Sequence, residues 1–117
     1  MRWNQLADDL PRASALADIL CGAATADGHF DPSEHVVVGA MIMKVLGVGS
    51  LPESVEAHVR AFDPARFDLA AALDALALKT DREKKALLQV VTDLVEADAQ
   101  VADSERAFVN RLGLLLA

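Results

Sequence analysis

The sequence predicts an all-α domain, and three observations carry that prediction. Apolar residues recur at i, i+3, i+4 and i+7 through most of the chain. Helix-start signals stand at Asp31-Pro32, Asp63-Pro64 and Thr80-Asp81-Arg82-Glu83. No two consecutive segments alternate with period two, and no hairpin turn pair joins strand-like runs. The expectation is one compact bundle of six or seven helices over residues 1–117, because a chain of 117 residues leaves no room for two independent cores.

Each element follows from local signals. Residues 5–10 read as a short lead-in helix. The next helix carries Leu16, Ile19, Leu20, Ala23 and Ala24 on one face, with Pro11 in its first turn, where the missing N–H costs nothing. Asp27-Gly28 is expected to end it. Asp31 then serves as N-cap, Pro32 as N1 and Glu34 as N3 of a helix running to about Leu46. Val36, Val37, Val38, Met41, Ile42, Met43, Val45 and Leu46 make that helix apolar almost all round, so it is expected at the buried centre. Gly39 would admit a neighbouring helix closely. Gly47 to Ser50 forms a loop. Pro52 opens a helix with Val55, Val59 and Phe62 inward, and Asp63-Pro64 opens another with Leu69, Ala72, Leu73 and Leu76 inward. Thr80 to Glu83 has capping-box spacing, ahead of Leu87, Leu88, Val91, Leu94 and Val95. After a break near 98–100, the last helix points Phe108, Val109, Leu112, Leu115 and Leu116 inward.

Composition bounds the function. Apolar residues are 53% and charged residues 25%, a balance for a packed core rather than disorder. Eleven Lys+Arg against eighteen Asp+Glu give −7, which disfavours tracking a phosphate backbone and suits cations or basic partners. The single cysteine, Cys21, excludes an internal disulfide and a multi-thiolate zinc site. The N-terminal stretch has no apolar signal region, and the apolar run Val36 to Met43 is far short of the ~20 residues a span needs. The reading is a cytoplasmic protein that binds no nucleic acid.

One segment recurs 71 positions later. Residues 26–35 read Ala-Asp-Gly-His-Phe-Asp-Pro-Ser-Glu-His and residues 97–106 read Ala-Asp-Ala-Gln-Val-Ala-Asp-Ser-Glu-Arg. In each copy an acid, Asp27 or Asp98, is followed seven residues on by a glutamate, Glu34 or Glu105, with an apolar plug, Phe30 or Val101, between. The copies imply two related helical hairpins, about 12–46 and 81–116, packed about a pseudo-two-fold axis.

The pattern Ala-Asp-Gly-x-(apolar)-x-x-x-Glu at 26–34, echoed at 97–105, resembles the TerB-like family of tellurite-resistance proteins, to which the N-terminal domain of DjlA-type membrane co-chaperones is related. The resemblance covers roughly residues 12–116. It implies an all-helical bundle with internal two-fold similarity, acidic clusters that bind divalent metal, and a non-enzymatic role in stress-response assemblies, often near membranes. By position the acidic sites are Asp27 and Glu34, then Asp98 and Glu105. The second copy departs from the pattern, with Ala99 for Gly28 and Ala102 for Asp31, while Glu96 and Asp103 lie nearby.

Two readings of these acids stand side by side. Asp27, Asp31 and Glu34 offer three carboxylates around one turn, and hard divalent cations want several such oxygens. Aligned on Gly28, the segment matches the later positions of an EF-hand loop, but Ala23 and Thr25 occupy its first and third positions, so calcium affinity would be weak. The same carboxylates also work as helix caps, each worth about 0.5–2 kcal/mol. His29 and His35 flank the first copy as exposed residues. His58 has no partner in sequence and reads as surface. Cys21, Met41 and Met43 read as core, Arg82, Lys84 and Lys85 as a solvated face, and Trp3 as a terminal anchor or partner contact.

No Ser-His-Asp or Cys-His pattern and no phosphate-cradling Gly loop is present, so an enzyme ranks last. The reading is a non-enzymatic interaction module in stress response, with protein partners, membrane association only through those partners, and a divalent metal of unspecified identity at Asp27, Asp31, Glu34, Asp98 and Glu105. The alternatives are a divalent-cation sensor and a metal-independent, co-chaperone-like scaffold. The oligomeric state stays open.

Overall fold

The computed structural model describes residues 9–25, 32–96 and 103–116. Among them are six helices and no strand, as the periodicity predicts. They are α1 (Leu10–Ala24), α2 (Pro32–Leu46), α3 (Glu53–Ala61), α4 (Leu69–Leu76), α5 (Asp81–Glu96) and α6 (Asp103–Leu116). Of the expected lead-in helix, residues 5–8 lie outside the described residues, and Leu10 already belongs to α1.

The central helix is α1, not α2. It packs against every other helix, most extensively α4 and α3. From Ala13 to Ala23 every residue is buried except Asp18. The physical reason is size. Five alanines, Ser14, Cys21 and Gly22 keep its surface low, so neighbouring helices approach closely on several sides. Leu16, Ile19 and Leu20 supply the bulk, each worth about 1.5–3 kcal/mol on burial. The all-round apolarity of α2 is not matched by all-round burial: Val38, Ile42 and Leu46 form its inner stripe, while Val36 is 72% and Val37 48% exposed. Apolar residues on a surface are common, so apolarity alone does not rank a helix for burial.

Side-chain caps hold the starts of α1, α4 and α5, while α3 starts at Pro52 without one. Asp9 accepts from the Arg12 N–H at the head of α1. The Thr80 hydroxyl accepts from the Glu83 N–H at 3.1 Å, and the Glu83 carboxylate reaches back to the Lys79 N–H at 3.0 Å, one residue before its place in a strict capping box. Asp63-Pro64 does not open a helix. Asp63 closes a single turn, accepting from the Ala65 N–H through its side chain and the Arg66 N–H through its carbonyl. The chain then extends through Phe67, and Asp68 caps α4 by accepting from the Ala71 N–H at 3.2 Å. The break lets Phe67 turn into the core, where its ring meets Phe62 and Phe108 at centroid distances of 5.5 and 6.2 Å.

Helix ends also depart from expectation. α1 stops at Ala24, with Thr25 as C-cap and its hydroxyl bonded to the Cys21 carbonyl at 2.8 Å. The helix therefore closes before Asp27-Gly28, a pair that lies outside the described residues. Gly39 meets the side chain of Leu51 from the following loop rather than a neighbouring helix. On α6 Leu112 is buried and Phe108, Val109 and Leu116 pack against the core, but Leu115 is 44% and Leu114 78% exposed.

Candidate functional site

Asp27, Asp31 and Asp98 lie outside the described residues, as do His29, Trp3, Phe30 and Val101. Glu34 falls in the first turn of α2, its side chain outside what is described, and Glu105 is a partly buried residue in the first turn of α6. Residues 26–31 and 97–102 lie outside the described residues, and each stretch leads in sequence into a helix with a glutamate in its first turn. Among the described residues no group of three or more His, Cys, Asp or Glu is gathered in a way that could hold a metal ion.

The described residues build a different feature, a groove of about 1140 Å³ between α1, α3 and α4. Its floor is Ser14, Ala15 and Asp18 of α1. Small side chains of α3 and α4, among them Ala61, Ala71 and Ala75, line it together with Phe62 and Phe67. This groove was not legible by motif, because its lining comes from four separate stretches.

Asp18 and His58 meet within it. The Nδ1 of His58 lies 3.4 Å from Oδ1 of Asp18: His58 is half-exposed, a surface residue as its sequence context predicts, and the fold brings it a partner 40 residues away. Partial burial raises the Asp18 carboxyl above its ordinary 3.8, and the nearby imidazole pulls it down by less. The signal that could have found Asp18 is its place, an acid inside the run Ala-Leu-Ala-Asp-Ile-Leu-Cys. One turn on, Cys21 is fully buried and its thiol is pushed up to about 12, first by burial and then by the Asp18 charge. It is a core residue, as its helix context predicts.

The remaining charges of the groove are engaged locally. Arg66 pairs with Asp63 at 3.6 Å, and Asp68 holds the start of α4. No helix among the described residues is long and apolar enough to cross a membrane.

Comparison with known proteins adds one positive finding. A family model described as tellurite resistance protein TerB matches residues 13–117. No curated protein and no solved structure matches the chain.

Proposed function

The chain belongs to the TerB family, whose model spans 13–117, and on that premise we propose that it is a non-enzymatic interaction module of a stress response that holds divalent cations at its two acidic connections. The observation that carries this reading is the paired arrangement of those connections. In sequence each carries Ala-Asp, at 26–27 and at 97–98, and delivers a glutamate into the first turn of the helix that follows. Two carboxylates brought to one turn repel unless a cation or proton intervenes. Asp27, Asp31 and Glu34 would hold the first ion, and Asp98 and Glu105 the second. The helix contacts support a two-fold relation between the halves, since α1 touches α6 and α2 touches α5 reciprocally.

One observation favours the sensor form of this proposal. Val36 and Val37, both exposed, directly follow the first acidic connection on α2. An ion bound at that connection would act next to this exposed apolar face.

Thermal unfolding of EDTA-stripped protein with added Ca²⁺, Mg²⁺, Mn²⁺ or Zn²⁺ tests the reading. A cation at about 100 times its Kd stabilises by about 2.7 kcal/mol, a shift of roughly ten degrees for a domain near this size. The shift is expected to shrink in Glu34→Ala and Glu105→Ala. Absence of any shift would leave the acids as helix caps alone.

A further inference from the structure

We propose that the groove between α1, α3 and α4 docks a peptide segment of another protein, one with a small apolar face carrying a single lysine or arginine, and that the carboxylate of Asp18 receives that basic side chain. The proposal rests on the interaction-module reading and deepens it by naming a surface and a partner chemistry.

The shape argument comes from side-chain size. Ala15, Ala61, Ala71 and Ala75 line the groove with methyl groups, and Phe62 adds an aromatic ring to the lining. Such a channel accepts a segment whose own inward residues are small or aliphatic, as in helix-in-groove recognition. Its volume of about 1140 Å³ is of the order that ligand clefts occupy.

The charge of the groove selects a basic partner. Three carboxylates line the groove, those of Asp18, Asp63 and Asp68, against one guanidinium, that of Arg66. Arg66 and Asp63 are paired with each other, and Asp68 is turned to the Ala71 N–H. That leaves Asp18 on the floor, met by His58 alone among the bonds described for it. An arginine or lysine remains cationic at physiological pH and would pair with Asp18. An acidic segment would meet like charge there. Asp18 is also the one residue between Ala13 and Ala23 that is not buried, so the central helix opens to solvent at this carboxylate. Partial burial raises its pKa, which means the ionised form weighs against the fold that carries it. A carboxylate that burial disfavours as an ion and that faces a groove gains from a cationic partner there.

The test is selection from a random peptide library displayed on phage against the full chain in EDTA, so that it is independent of metal at the acidic connections. Enriched peptides are expected to share one Lys or Arg among small apolar residues. A synthetic copy should lose about tenfold or more in affinity for Asp18→Asn. It should bind Asp74→Asn, altered at an exposed acid of α4 outside the groove, as it binds the parent protein. A melting curve for Asp18→Asn at or above that of the parent separates lost binding from lost fold. Amide shifts on peptide addition should cluster in α1, α3 and α4. Enrichment of peptides without a basic residue, no enrichment, affinity unchanged in Asp18→Asn, or shifts confined to α2 and α6 would each overturn the proposal. So would self-association of the chain through this groove. Failure here leaves the metal shift intact, and loss of the metal shift leaves this binding intact.

Discussion

The ring of Phe67 lies against the bare Cα of Gly22. A Cβ built on Gly22 would stand 2.8 Å from Cζ and 2.9 Å from Cδ2 of that ring, and closer still to Cε2. The ring cannot simply move aside, because Phe62 and Phe108 flank it. The contact joins the central helix to the link between α3 and α4, the link that also lines the groove.

Gly22→Ala is therefore expected to destabilise. Overpacking costs about 1–3 kcal/mol, and the helix gain from replacing glycine offsets about 0.5–1 kcal/mol. A net loss of about 1 kcal/mol, read by urea unfolding, is the expected result. In a Phe67→Ala background the same substitution should become neutral or stabilising. That reversal of sign in a double-mutant cycle assigns the cost to this contact.

Asp18→Asn is expected to raise the melting temperature near neutral pH. The Asp18 carboxyl is raised in the folded protein, chiefly by burial. A raised acid binds more protons folded than unfolded, so stability falls as pH climbs from its ordinary 3.8 through its folded value. The gain from asparagine should be full above that window and vanish below pH 3.8, where aspartate is protonated in both states. Paired melting curves at acidic and neutral pH check it.

Ala77 ends α4 in the left-handed region, at φ 56° and ψ 51°, with its N–H bonded to the Leu73 carbonyl. Glycine takes this conformation without the Cβ penalty. Ala77→Gly is expected to stabilise by about 1 kcal/mol, after offsetting glycine's larger chain entropy in the unfolded state. Denaturant midpoints measure it directly.

Cys21 is fully buried with its thiol pushed up to about 12. An aromatic disulfide reagent at pH 8 should find it unreactive in the folded protein and titrate one thiol in denaturant. Prompt labelling under native conditions would contradict the burial of α1.

Much of the fold was legible because helical period and cap chemistry are local. The span of α2 from Pro32 to Leu46 and the start of α5 at Asp81 match their signals. The burial ranking was not legible, because an apolar count cannot see that small residues, not large ones, let α1 sit beside all its neighbours. The start of α4 was misplaced because Asp63 and Asp68 carry the same cap chemistry, and only the packing of Phe67 chooses between them. The acidic connections were legible as a repeat in sequence. The groove was not, since Asp18 and His58 come together only once α1 and α3 have packed.

Under the proposed function, divalent cations bind at the two acidic connections. The most direct measurement is titration of EDTA-stripped protein with Mn²⁺, followed by amide NMR line broadening. The account predicts that resonances of residues 26–34 and 97–105 broaden first, while those of α3 and α4 keep their intensity. Broadening centred on Asp63 and Asp68 instead, or none at either acidic connection under excess Mn²⁺, would contradict it.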